Sequence, residues 1–179
     1  QMGKLVFFDA VPNFGNIKSI RGIANTMIGI SHYLRTNPSD DAMKSTLHKL
    51  ANILVSQYDQ NHTENWNWFE SLLAYDNGIL PLALLHAAEI LEDRNISRVA
   101  FATMDFLSEH TMKDDYLSII GNAAWYVKDK ERSMFAQQPI DAEAMVLMYH
   151  QAYVLTGNQD FLKKLFTAFM WFLGENDMR

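Results

Sequence analysis

Apolar residues recur at three- and four-residue steps along nearly the whole chain, and the breaks between these runs alternate between short and long. That layout favours helical hairpins over other folds. Residues 17–35 carry Ile17, Ile20, Ala24, Met27, Ile28 and Leu34 in this rhythm, and 40–58 carry Met43, Leu47, Leu50, Ile53, Leu54 and Tyr58. Further helices are predicted over 80–92, 97–111, 139–156 and 159–173. Pro38 stops the first helix, Pro81 is tolerable only in the first turn of the third, and Pro139 opens the fifth. Gly157 and Gly174 close the fifth and sixth. Ser39 is expected to cap the second helix, Asn95 the fourth and Asn77 the third. Strand signal is confined to the first dozen residues.

Breaks of a few residues near 37–39, 93–96 and 157–158 join the helices in three antiparallel pairs, whereas 59–78 and 112–138 link one pair to the next. Aligning the turns puts Leu34, Leu91 and Leu155 in matching places, a diverged hairpin repeat. Each hairpin goes out and back, so both long connections emerge at one end. The expected fold is all-α, with about three hairpins forming part of an α/α toroid as an incomplete ring over 17–179 and a lead-in over 1–16. The native chain is expected to continue past Arg179. The apolar residues of 159–173 run nearly all round their helix. It is therefore expected to be buried on most sides, or to show a bare apolar face if the ring stops there.

Composition narrows the classes of function. With 15 Lys and Arg against 21 Asp and Glu, a net charge of −6 argues against nucleic acid or an anionic membrane surface as partner. No apolar run approaches the length of a membrane span, no secretory signal is legible, and a cytoplasmic location is expected. The chain has no Cys, which excludes disulfides, thiol chemistry and Cys-ligated zinc. Its six His residues form neither an HxxxH pair nor an HExxH run, so neither a metal site nor a cofactor is expected.

Trp66, Trp68, Glu70, Asp76, Trp125, Gln137, Gln138 and Asp141 all lie in or beside the long connections. Such one-sided clustering suits carbohydrate, whose C–H faces stack on indoles while its hydroxyls need carboxylates and amides. Trp66 and Trp68, two positions apart, face one side together in an extended segment, where they either stack sugar rings or plug the hairpin interface. Glu70 and Asp76 are the candidate catalytic carboxyls, because glycoside hydrolysis needs a flanking pair. The alternative is that they and Asp141 cap helices and anchor loops. Asp141 falls in the first turn of the fifth helix, where negative charge is favourable for structural reasons alone. Gln137 and Gln138 adjoin a helix start that needs one cap, which leaves one amide to bind hydroxyls.

The run Trp66-Asn-Trp68-Phe-Glu70 is followed by Leu73-Ala-Tyr75-Asp76-Asn77-Gly78 and Leu80-Pro81-Leu-Ala83-Leu-Leu85. With Gln137-Gln138-Pro139-Ile-Asp141-Ala142 and Trp171-Phe172-Leu173-Gly174-Glu-Asn176-Asp177, it resembles bacterial helical domains that accompany glycosyltransferases, among them mannosyltransferases. The likeness covers about residues 20–177. Such domains resemble the six-hairpin glycosidases, whose α/α toroid holds sugars in a mouth formed by inter-hairpin loops. The resemblance implies a saccharide or glycan partner, bound by Trp66, Trp68, Tyr75, Gln137, Gln138 and Asp141, with Glu70 and Asp76 for acid–base work. It also implies a nucleotide-sugar transferase domain outside this chain, which itself has no strand–helix alternation and no Gly-rich phosphate loop. The competing readings are a non-catalytic helical scaffold and a protein–protein adaptor.

Overall fold

The segment ILPLALLHAAEIL is apolar on almost every side, and a helix of that kind must be covered on almost every side. In the computed structural model, which describes residues 2–178, it forms α4 (Ile79–Leu91), and every residue from Ile79 to Ala88 is buried. Six other helices surround or extend it: α1 (Met2–Ala10), α2 (Ile20–Thr36), α3 (Asp41–Asn61), α5 (Arg94–Thr111), α6 (Pro139–Thr156) and α7 (Gln159–Met170). Short 3-10 turns follow α1 over Val11–Asn16 and α7 over Trp171–Leu173.

The all-α architecture has two layers. Helices α2, α4 and α6 lie side by side, with α4 in the middle, and α3, α5 and α7 each back the helix that precedes them. Leu34, Leu91 and Leu155 close α2, α4 and α6 in equivalent places, and all three pack on the common core. The short turns therefore share one end of the molecule and the long connections the other. α7 is not enclosed: only Ala168 is buried along it, and Phe166, Phe169, Phe172 and Leu173 are exposed.

Four local expectations are corrected. Met2–Ala10 form α1 and Val11–Asn16 a 3-10 turn, not a strand. Phe7 stacks on Tyr33 and meets the edge of Phe14, so side-chain packing on α2 orders this segment without any neighbouring strand to pair it. The strands instead join the two long connections, where β1 (Leu72–Leu73) pairs antiparallel with β2 (Tyr126–Val127). Carboxylates, not their neighbours, cap two of the helices. Asp40 caps α3 in place of Ser39, accepting from Met43 N–H at 3.0 Å. Asp93 caps α5 in place of Asn95, accepting from the N–H groups of Asn95 and Ile96 at 2.8 and 3.0 Å. A charged acceptor makes the stronger bond to the open amides of a helix start.

Asn77 does not cap α4; Gly78 stands at that position. A Cβ on Gly78 would come within 2.9 Å of the Ala144 carbonyl carbon and 3.0 Å of its Cβ, so the start of α4 touches the backbone of α6. Two small residues set this approach. Gly78→Ala is expected to wedge the helices apart and to cost about 1–3 kcal/mol, the usual range for overpacking. Urea denaturation of the two proteins measures it.

Candidate functional site

The side-by-side helices leave a groove of about 490 Å3 along one face. Each helix contributes one stripe at helical spacing, so that a single row of each points inward. α2 offers Asn25, Ile28, His32 and Arg35; α4 offers Ile79, Leu82, His86 and Glu89. α6 closes the far wall with Glu143, Leu147, His150, Gln151 and Val154. The middle of the groove is mainly aliphatic, and polar groups gather at its two ends.

At the long-connection end Asp76 reaches the groove from a left-handed backbone position with φ of 49°. It is buried beside Asn77, whose backbone N–H and side-chain amide donate to Asp141 Oδ1 at 3.2 and 3.3 Å. Asp141 is only 6% exposed. Burial pushes its carboxyl up to about 6; the neighbouring Asp76 adds to the rise and the bonds from Asn77 oppose it. Burial likewise raises Asp76, with Glu143 acting in the same direction and Arg21 against it. Two adjoining carboxyls biased toward protonation thus sit where α4 and α6 begin. Arg21 completes this end. Its Nε donates to the Tyr75 carbonyl at 2.6 Å, its Nη1 pairs with Glu70 at 3.0 Å, and its guanidinium lies 4.8 Å from the Tyr75 ring centre.

At the short-turn end Arg35 is the hub. Its Nη2 donates to Glu89 Oε2 at 2.6 Å and to Gln151 Oε1 at 3.1 Å, and it lies 2.9 Å from His86 Nδ1. Gln151 Nε2 donates to the same Glu89 oxygen at 2.6 Å. Burial, and then the adjacent guanidinium, lower His86 to about 4, which keeps its imidazole neutral. Sequence reasoning missed this cluster because it was searching the long connections. One signal was present: His86 and Glu89, three positions apart, are the only polar residues of α4.

The residues expected to bind sugar are divided by the structure. Of these residues Asp76 alone lines the groove; Asp141 is held beside it by Asn77, and Arg21 ties Glu70 to the Tyr75 carbonyl. Tyr75 is 45% exposed, and Glu70 is engaged with Arg21. Trp66 and Trp68 are 3% and 0% exposed, so their rings face protein and present no surface for stacking. Trp66 donates its indole N–H to the Glu70 carbonyl at 2.7 Å and packs edge-on against Phe106 and Tyr126. Trp68 packs on Phe69 and Phe106. Of the two readings left open in the sequence, this is the plug between a long connection and α5.

Gln137 is not at the groove. Its amide N–H donates to the Ile119 carbonyl at 3.2 Å and to Asp177, while its Oε1 accepts from the Trp171 indole at 3.3 Å. It therefore ties the second long connection to the residues after α7. Gln138 is exposed at the start of α6, makes no side-chain cap, and lies outside the groove lining. Among the described residues no group of three or more His, Asp or Glu could hold a metal ion, and no helix is long and apolar enough to cross a membrane.

No model of a known protein family matches the chain, and no curated protein matches its sequence. Two measurements test the site as built here. Asp141 binds its proton more tightly folded than unfolded, so its contribution is full below about pH 4 and is lost as pH rises through about 6. His86 acts with the opposite sign, since acidification charges it only in the unfolded chain. Asp141→Asn removes the first effect alone: relative to the parent it should gain about 3 kcal/mol of stability between pH 4 and pH 7, read from urea melts at each pH. Trp66→Ala should cost about 3–5 kcal/mol of folding stability, as truncation of a buried aromatic does, measured by thermal and urea unfolding.

Proposed function

We propose that this chain is a carbohydrate-handling helical-hairpin domain, part of an α/α toroid, which holds a saccharide in the groove along α2, α4 and α6. The observation that carries the reading is the lining of that groove. Aliphatic side chains such as Ile28, Leu82 and Leu147 occupy its middle, and carboxyl, amide, imidazole and guanidinium groups occupy its ends. A pyranose has the complementary distribution, with C–H faces flanked by hydroxyls, and the groove volume lies within the ordinary range for small-molecule sites. Sugar contact moves from Trp66 and Trp68 to the groove walls.

Asp76 is the carboxyl placed for proton work, because it faces the groove in a setting that favours its protonated form. Asn77 and Asp141, bonded to each other, adjoin it. Glu70 acts on Arg21 instead, as a positioning residue. A nucleotide-sugar transferase domain, by the resemblance noted above, is the proposed partner. The exposed Phe166, Phe169, Phe172 and Leu173 of α7 and its 3-10 extension favour the scaffold reading as the alternative.

Titration calorimetry with manno- and gluco-oligosaccharides, with product analysis on the same samples, tests the proposal. Saturable binding weakened at least tenfold in Asp76→Asn is the expected result, and released sugar would add catalysis to it. A folded sample that takes up none of the panel would overturn the carbohydrate reading in favour of the scaffold.

A further inference from the structure

We propose that the Arg35 cluster at the short-turn end of the groove is a second saccharide subsite, which binds adjacent hydroxyls of a neutral sugar ring; this rests on the carbohydrate reading of the groove. Ile79, next to the Asp76 end, and Glu89 lie ten positions apart on α4, or about 15 Å along the helix, room for roughly three pyranose rings in line. A ligand anchored at Asp76 therefore reaches Arg35 only if it is an oligosaccharide.

The cluster is built for recognition as well as for packing. Arg35 comes from α2, Glu89 and His86 from α4, and Gln151 from α6, so three helices fix one guanidinium in place. Both bonds to Glu89 fall on Oε2; among the described residues Oε1 accepts none, and the side chain is 28% accessible. Arg35, 31% accessible, uses Nη1 and Nη2 for its described bonds and leaves Nε–H. An open acceptor on Glu89 and an open donor on its partner Arg35 match neighbouring hydroxyls, each of which both donates and accepts. Side chains already locked on rigid helices lose little freedom when a ligand arrives.

Charge selects a neutral ligand. Arg35 and Glu89 bring opposite charges to 2.6 Å, and burial holds both His32 and His86 below their ordinary range, so they are neutral at pH 7. An anionic group would find no excess positive charge and would face the Glu89 carboxylate. A hydroxylated ring meets neither penalty.

The test uses the whole chain and a mannose and glucose oligomer series from one to four units. Calorimetry on the parent, Asp76→Asn, Glu89→Gln and His150→Ala is combined with proton NMR of the six imidazoles. The expected result is tighter binding of trimers than of monomers, with that gain lost about tenfold in Glu89→Gln. Saturating trimer should also shift the His32 and His86 signals and leave His48, His62 and His110 in place. The NMR arm needs no variant, and His150→Ala serves as the second groove variant should Glu89→Gln fail to fold. Trimer binding that falls in Asp76→Asn, is unchanged in Glu89→Gln and His150→Ala and leaves the His32 and His86 signals in place would overturn the subsite while the groove reading stands. Absence of binding by every oligomer would overturn both.

Discussion

Covering α4 is the constraint on which the remaining structure depends. Its ten consecutive buried residues must be shielded from water on nearly all sides, and burial of that apolar surface is the main favourable contribution available to a chain of this composition. α2 and α6 flank it while α3 and α5 close it from behind. The start of α4 comes so near to α6 that Gly78 and Ala144 meet at backbone distance. The line of Leu82, His86 and Glu89 on α4 forms the floor of the groove between α2 and α6.

The groove's two ends solve the cost of placing ionisable groups near an apolar core in different ways. At the long-connection end, burial raises both Asp76 and Asp141 above the usual carboxylate range. At the short-turn end the charges are kept and paired. Burial works to raise Glu89, and the bonds from Arg35 and Gln151 outweigh it and bring the carboxyl below its usual range. One end thus holds carboxyls raised by burial, and the other a fixed set of paired donors and acceptors. Loss of one partner from the paired end would leave an uncompensated charge against the core, which makes it the less tolerant of the two.

The two-residue ladder between β1 and β2 holds the long connections to each other, and Trp66 fills the space beneath them against Phe106 and Tyr126. Gln137 and Ser118 both donate to Asp177 and bind the residues after α7 to the same layer. In the sequence these aromatic and amide side chains look like ligand contacts because they fall in loops. A loop of this length must satisfy its own backbone and bury its own apolar side chains, and that requirement takes them.

Periodicity, Pro and Gly placement and connection length sufficed to determine helices α2 to α7, their pairing into hairpins and the end from which the long connections emerge, because these follow from local geometry and chain continuity. The place of Asp76 and Asp141 was legible for the same reason: both lie beside helix starts. The orientation of Trp66 and Trp68 was not, since an extended pair of indoles has the same spacing whether it faces solvent or core. Nor was the Arg35 cluster, whose other members stand 51 to 116 positions from Arg35 and meet it only when α2, α4 and α6 align. Tertiary structure decided which side chains share the groove, because the apolar demand of α4 sets which helix faces are covered and which remain open.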